Sequence, residues 1–374
     1  MDKKKEPMAL DPHADNFPCP ACGGNMAFDP MSQMLKCDYC DNMVTLGQEG
    51  VAIETYDFGQ SEKEDSHDWG LATVTIHCNQ CGSSAVMEAS QTSTFCAYCG
   101  SNQVVTGEED AGLRPESVIP FSITREQAQD QYLKWIRRQW LAPNALQKKH
   151  MTDRLQGVYV PHWAFDADVD GYYHCEYSRT ALGSSSTKVD TLGDLTGSAW
   201  RHDGRMEWRS KSGHIDRHFD NVLVNASVKI NDRHMEALKP YYFDKLVPYQ
   251  PGYLSGFLAE KYGIDKENGL RDAQEVMKNK ISMDVGYEVH ANHVKNMRVA
   301  AQYRDVKYKH LLVPVWISAY EYKGKVYQYL VNGQTGEVQG DMPQSVYKLY
   351  GYPGVTMALI VVLYWLYQYS GLLG

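Results

Sequence analysis

CPACGGNMAFDPMSQMLKCDYC (residues 19–40) and CNQCGSSAVMEASQTSTFCAYC (residues 78–99) decide the reading of this chain. Each holds two Cys-x-x-Cys pairs with fourteen residues between them, and every cysteine of the second stretch lies 59 residues after its counterpart in the first. Tyr39 and Tyr98 share a slot, as do Gly23 and Gly82, so the pair reads as an internal duplication. A Cys-x-x-Cys turn places two thiolates on one side of a tight knuckle, and a residue at positive φ after it turns backbone N–H groups toward the sulfurs. Two knuckles supply four ligands at roughly 2.3 Å, the closed tetrahedral set that Zn²⁺ prefers. Met26–Phe28, a turn at Asp29-Pro30 and Met34–Lys36 suit a short hairpin between knuckles. The expectation is two zinc ribbons with two structural Zn²⁺ ions, held by Cys19, Cys22, Cys37 and Cys40 and by Cys78, Cys81, Cys96 and Cys99. Rubredoxin-like iron and a thiol–disulfide pair are the alternatives; a redox pair calls for a helix N-terminus beside a βαβ pattern, and none is visible. His77 is a possible substitute ligand beside Cys78, but four cysteines already complete that site. A closed four-thiolate site leaves no position for substrate or water, so the metal reads as structural.

Outward from the ribbons (17–46 and 76–106), residues 1–16 read as a disordered lead without a signal peptide, and 47–75 as an acidic linker. Residues 1–112 carry five Lys, no Arg and 18 acidic residues, against a whole-chain net charge of −9 over 374 residues. Such a segment repels nucleic acid, whose binding rests on Lys and Arg neutralising phosphates. A mean hydropathy of −0.48 excludes a polytopic membrane protein.

Residues 113–343 read as an α+β body. SVIPF (117–121) suggests a strand, and Thr124 with Gln127 a capping box that opens a helix to about Trp140. Further helices are expected over 267–283 and, shorter, over 253–262. VYVPHWAFDADVDGYYH (158–174) aligns with LLVPVWISAYEYKGKVYQ (311–328), pairing Pro161 with Pro314, Trp163 with Trp316 and Gly171 with Gly324. Each copy reads as a strand, a Gly-containing turn and a Tyr-rich strand. The body is therefore expected to be a duplicated antiparallel unit, 113–230 and 231–343. No P-loop, H-E-x-x-H, G-x-S-x-G or G-x-G-x-x-G is present, and no catalytic or cofactor-binding residue is expected. His202, His214 and His218 near Asp203, Asp216 and Asp220 read as polar hairpin faces rather than a metal cluster, and Cys175 as a buried core thiol.

After Lys348 no charged residue follows through Gly374. Residues 352–370 are long and apolar enough to cross about 30 Å of hydrocarbon as one transmembrane helix. Tyrosines at 347, 350 and 352 and Trp365, Tyr367 and Tyr369 suit the two interfaces, and Lys348 favours a cytosolic start.

Two Cys₄ ribbons, the V-P-x-W strands, YKGKVYQYLVNGQTGEVQGDMP (322–343) and the apolar tail together resemble the bacterial TFIIB-type double zinc-ribbon membrane-associated proteins, YdjG-like, often labelled primosomal protein N′ or replication protein by ribbon similarity. The resemblance covers nearly the whole chain, and only the eight cysteine ligands carry over from it. Asp41-Asn42 depart from the usual glycine after the last cysteine of the first ribbon, although both residues tolerate the left-handed region. The resemblance implies SPFH (flotillin-like) or phage-shock-type membrane-stress proteins as partners. The expectation is a non-enzymatic adaptor tethered to the inner membrane by one pass, with its N-terminal domains in the cytosol. It would contact protein partners and the lipid bilayer but no nucleic acid. The alternatives are a nucleic-acid-binding ribbon protein of transcription or replication, and an enzyme of the middle region.

Overall fold

The structure is a computed structural model that describes residues 17–47, 53, 55–59, 69–70, 73–89, 95–107, 112–147, 154–180, 206–289 and 293–371. The expected lead, 1–16, and much of the expected linker lie outside those residues. The chain is a mixed α+β protein, mostly sheet. β1 (Met26–Asp29), β2 (Met34–Cys37) and β3 (Met43–Val44) form a small sheet in that order. β4 (Tyr56–Asp57) precedes the second cysteine segment, which holds β5 (Thr73–Cys78), β6 (Ser84–Glu88) and β7 (Val104–Gly107). The body follows as β8 (Ser117–Val118), α1 (Arg125–Arg138), β9 (Gln156–Thr180), β10 (Met206–Asn225), α2 (Asp232–Ala237), β11 (Val247–Pro248), β12 (Leu258–Glu260), α3 (Lys266–Glu288), β13 (His293–Tyr322), β14 (Lys325–Asn332) and β15 (Val338–Gly340). The last helix is α4 (Val346–Gly371).

The centre of the fold is the antiparallel pair of β9 and β13. Val160 pairs with Val313, and these two are also matched by the alignment of the V-P-x-W segments. The ladder therefore has a local two-fold at that pair, with Pro161 facing Leu312 and Pro314 facing Tyr159. The flanking elements obey the same symmetry. β8 runs parallel to β13 at Ser117↔Leu311, and β12 runs parallel to β9 at Leu258↔Val158. Trp316 Nε1 donates to the carbonyl of Ile123 at 3.2 Å, and Trp163 Nε1 to that of Ile264 at 2.8 Å. Each acceptor sits one residue before the N-cap of a helix, Thr124 for α1 and Asp265 for α3. Asn225 and Asn332 close the two return strands with matching turns, their side-chain oxygens accepting from Ser227 N and Gln334 N. The V-P-x-W signature thus has a packing role: each indole pins the entry of the helix that precedes the partner strand, Trp163 that of α3 and Trp316 that of α1.

Capping shows why the helices start where they do. Thr124 and Gln127 form the reciprocal box expected of them, with bonds of 3.3 and 2.9 Å. Asp265 Oδ1 accepts from Asn268 N at 2.7 Å and opens α3, which is longer than the expected 267–283. Ala273, Met277, Ile281 and Val285, four residues apart, bury one face of α3 against β9, β10 and β13.

Two expectations fail. Residues 253–262 do not form a helix; 251–254 make a single 3₁₀ turn, and β12 follows as a fully buried strand. Its neighbours β6 and β9 satisfy its backbone on both edges, a gain no local propensity reports. Asp170-Gly171 is also not a turn. β9 runs straight through it, for 25 residues or roughly 80 Å. Val169, Tyr173 and Cys175 alternate onto the apolar face that meets α3, so long-range burial overrides the turn-forming dipeptide. Gly171 serves close approach instead: a Cβ there would lie 2.2 Å from the Ala300 carbonyl oxygen. Lys323-Gly324, by contrast, is a hairpin turn, with φ of 52° and 76° and Tyr322 pairing Lys325.

Gly171→Ala is expected to destabilise the protein by about 2 kcal/mol through overpacking between adjacent strands. Gly47→Ala, with nothing within 4 Å of its Cβ position, should be close to neutral. Denaturant unfolding of the two variants and wild type would measure the difference.

Candidate metal centres

All four knuckles have one backbone geometry. The N–H of the first cysteine bonds to the carbonyl five residues on, and the N–H four residues on returns to its own carbonyl. In order, the pairs are Cys19–Gly24 with Gly23–Cys19, Cys37–Asn42 with Asp41–Cys37, Cys78–Ser83 with Gly82–Cys78, and Cys96–Ser101 with Gly100–Cys96. The returning residue has positive φ each time: 76° at Gly23, 55° at Asp41, 67° at Gly82 and 72° at Gly100. Asp41 therefore adopts the left-handed conformation its glycine counterparts adopt, and Lys36 steadies its carboxylate at 3.0 Å.

These knuckles bring the eight expected cysteines into two tetrads. The sulfurs of Cys19, Cys22, Cys37 and Cys40 lie within 4.8 Å of one another, as do those of Cys78, Cys81, Cys96 and Cys99. Contacts of 3.5 Å (Cys19–Cys40, Cys22–Cys37) and 3.7 Å (Cys78–Cys99, Cys81–Cys96) are far too long for disulfides. They match the edge of about 3.8 Å that a tetrahedron with roughly 2.3 Å metal–sulfur bonds requires. The donor set and its spacing fit a tetrahedral thiophilic cation. Among the described residues no other group of three His, Cys, Asp or Glu ligand atoms gathers this closely. His77 binds Ser84 Oγ at 3.1 Å and stands outside the tetrad. His218 and His214 pair with Asp168 (2.7 Å) and Asp170 (3.6 Å) across β9 and β10 as a polar sheet face, not with Asp216 or Asp220; His202 and Asp203 lie outside the described residues. The hydrogen bond that His218 donates to the Asp168 carboxylate raises the His218 pKa. Cys175 is buried against α3.

The thiols of each tetrad perturb one another. Burial opposes ionisation of Cys19, but the N–H groups of Ala21 and Cys22 and the Cys40 thiol bring it down to about 6. The Asn42 N–H favours the Cys40 thiolate, yet Cys22 and Cys19 outweigh it and push that group up to about 12. Not all four thiols ionise unaided near neutrality, so loading must release protons, and acid must favour loss of the cation.

The two centres differ in how they meet the body, which their equal cysteine spacing conceals. At the second, β6 pairs with β12, and β12 with β9, so this ribbon is a continuation of the main sheet. Tyr98 is 8% exposed and donates to Glu260 at 2.8 Å, while Ser227 donates to the other carboxylate oxygen at 2.6 Å. Ser83 Oγ lies 3.2 Å from Cys96 Sγ, and the cations Lys229 and Arg154 reach the carbonyls of Cys81 and Gly100. At the first, Phe28 packs edge-on against Tyr253 at 5.1 Å and Ser255 binds the Met26 carbonyl at 2.6 Å. Its outer side stays bare: Cys22 and Cys40, the second cysteine of each knuckle, are exposed and Tyr39, the counterpart of Tyr98, is 81% exposed. Sequence reasoning missed Glu260 and Ser227, because their role arises only when distant strands meet.

The asymmetry sets the expected order of metal loss. A strong chelator should strip the 19–40 tetrad first, in a resolved fast phase, and the 78–99 tetrad more slowly. Cys22→Ser should leave the body folded, whereas Cys78→Ser should lower the melting temperature of the whole chain. Single release rates for both sites, or equal melting shifts, would contradict this. Burial raises Glu260 to about 7 against the hydrogen bonds of Ser227 and Tyr98. The folded state thus holds a proton that the unfolded state releases above its lower pKa, so stability falls as pH rises toward 7. Glu260→Gln should remove that slope, gaining about 2 kcal/mol on wild type between pH 5.5 and 7.5 in denaturant titrations.

No family model and no solved structure matches the chain. Over 340 residues, 88% of this chain and 90% of the relative, it is 28% identical to the uncharacterized protein YdjG of Bacillus subtilis (strain 168).

Proposed function

We propose that this protein is a non-enzymatic, membrane-tethered zinc-ribbon adaptor that presents its folded body to protein partners at the cytosolic face of the inner membrane. The observation that carries the tether is α4. Among described residues it is the one helix long and apolar enough to cross a bilayer, and from Met357 to Leu366 its large apolar side chains are all exposed. Hydrogen bonds tie the start of this helix to the body. Ser345 N donates to the Leu141 carbonyl, and Lys348 Nζ to Ala142 O and Asn144 Oδ1, both at 2.7 Å. Trp140, next to Leu141 at this corner, and Tyr347 and Tyr350 in the first turns of α4 are exposed aromatic side chains suited to the headgroup region. Lys348 at that corner favours the cytosolic side.

Zinc is the cation we assign to the tetrads, since four thiolates in a closed tetrahedron suit it and leave no open position for chemistry. The eight ligands are Cys19, Cys22, Cys37, Cys40, Cys78, Cys81, Cys96 and Cys99. The body we infer to be a duplicated β-α-β-β unit, β8-α1-β9-β10 and β12-α3-β13-β14, supported by the matched indole and Asn contacts around Val160 and Val313. The TFIIB-type assignment, with SPFH- or phage-shock-type proteins as partners, rests on the resemblance in ribbon and tail order. The acidic N-terminal segment supports protein rather than nucleic-acid contacts.

Full-length protein should resist carbonate extraction, carry about two zinc ions per chain, and fail to bind duplex or single-stranded DNA at tens of micromolar in physiological salt. Removing 353–374 should release a folded, zinc-loaded protein to the soluble fraction. Val361→Asp should weaken insertion by about 3 kcal/mol. A full-length chain soluble without detergent would defeat the tether, and tight salt-sensitive DNA binding would favour a nucleic-acid role.

A further inference from the structure

The chain is acidic, at −9 overall, yet the end of the body from which α4 leaves is basic. Three elements meet there. α1 runs the same way as the end of β13: Trp316 holds the entry of α1, and Tyr132 stacks on Tyr329, the partner of Ser318, with ring centroids 3.9 Å apart. The last turns of α1 therefore lie beside the β13–β14 turn. Leu133 and Trp135 of α1 pack on the same apolar cluster as Tyr322, Tyr327 and Met342. The start of α4 joins them: the Tyr320 hydroxyl donates to the Asp341 carbonyl at 3.3 Å, and Ser345 N donates to the carbonyl of Leu141, just beyond α1.

Five exposed cations stand at this end: Lys134, Arg137 and Arg138 on α1, and Lys323 and Lys325 at the hairpin turn. Spacings of three and four residues place the first three on one side of the helix, opposite the buried Tyr132 and Ile136. None of the five is ion-paired among the described residues. Lys323 and Lys325 lie over the rings of Tyr322 and Tyr327, at 5.6 and 5.4 Å, which keeps both ammonium groups outside the apolar cluster. No Asp or Glu occurs over 131–147 or over 342–374. The acids of this region are Glu321 and Asp341, and Asp341 lies 3.5 Å from His234. Glu126 and Asp130 of α1 belong to its first half. The helix dipole favours Arg137 and Arg138 in the last turn, but it does not account for two lysines on a separate hairpin.

Unpaired cations grouped where an apolar helix leaves a folded body match the surface of a membrane rich in anionic lipid, since about four to eight Lys and Arg beside the cytosolic end of a span attract such headgroups. We propose that this basic end docks on the anionic phospholipid headgroups of the membrane that α4 spans, with Lys134, Arg137, Arg138, Lys323 and Lys325 facing the phosphates. The guanidinium groups can hold phosphate oxygens in pairs, and the lysines act as point charges. Trp140, 62% exposed and two residues past Arg138, suits the same headgroup layer. The proposal rests on the reading of α4 as a tether and adds to it the lipid class and the face of the body that meets the bilayer.

The test is amide hydrogen exchange of full-length, zinc-loaded protein in nanodiscs of phosphatidylcholine, alone or with about 30% phosphatidylglycerol. Peptides covering 131–141 and 320–327 should exchange about threefold more slowly in the anionic discs. Salt at about 1 M, where the Debye length shrinks to roughly 3 Å, should abolish the difference. Combining Arg137→Gln, Arg138→Gln, Lys323→Gln and Lys325→Gln should abolish it too, with zinc content and melting temperature unchanged; should that variant fail to fold, the wild-type comparison still decides the matter. Equal exchange in the two discs, or a difference that survives high salt, would overturn the proposal. So would stronger protection of these peptides by a short DNA duplex in phosphatidylcholine discs, which would make the surface one for nucleic acid. Exclusion of the protein from discs of both compositions would defeat the tether itself. Flotation with vesicles of the same lipids then reads the basic end alone: salt-sensitive binding to the anionic vesicles upholds it, and binding without preference overturns it.

Discussion

The antiparallel ladder between β9 and β13 is the constraint on which the other elements depend. Each strand has two edges, and one edge of each is spent on the other strand. The remaining edge of β9 takes β12 and then β10; the remaining edge of β13 takes β8, then β14, with β4 further out. Both helical layers are fixed by indoles that project from this pair, Trp163 to the start of α3 and Trp316 to the start of α1. A slip of one residue would exchange the faces of both strands. It would expose Trp163 and Phe165 and bury Asp166 and Asp168 beneath α3. The register is therefore specified by burial on both faces at once.

The same ladder explains why the cysteine segments are parts of the body rather than beads on a string. The second joins the sheet through β6 and β12, and its Tyr98 enters a buried polar network with Glu260 and Ser227. The first lays β1 and β2 over Tyr253 and Phe257, with Ser255 bridging Met26 to the buried Glu88 of β6. The body contributes apolar cover, and cations such as Lys229 and Arg154, that a ribbon alone could not supply. Folding energy gained by a cation at either tetrad thus reaches the central sheet through hydrogen bonds and buried side chains.

The arm formed by the outer halves of β9, β10 and β13 is asymmetric in a way the rest of the body is not. α3 covers one face, tied by Lys211 to Glu288 and by Arg217 to Asp284. The other face is a polar ladder of His, Asp and Arg side chains paired across strands, including Arg304 with Asp170 and Lys295 with Glu176. These exposed pairs add little stability individually, so the arm is held by the apolar seam with α3.

Local chemistry is what the sequence alone determined. The spacing of eight cysteines fixed two tetrads, since a knuckle is built within six residues and needs only a residue that tolerates positive φ, which Asp41 does. The Thr124–Gln127 box, the Lys323-Gly324 turn and the apolar run of α4 were legible for the same reason: every partner lies within a few residues. Tertiary structure decided what depends on distant partners. Gly171 carries turn chemistry yet lies mid-strand, because Ala300 and α3 outweigh a dipeptide preference. Residues 258–260 form a strand because β6 and β9 flank them. Tyr39 and Tyr98 each lie just before the last cysteine of their segment, but only Tyr98 is buried, because only the second segment meets β12. Such outcomes are set by pairing across a hundred or more residues, where burial and backbone hydrogen bonding exceed the tenths of a kcal/mol that separate local propensities.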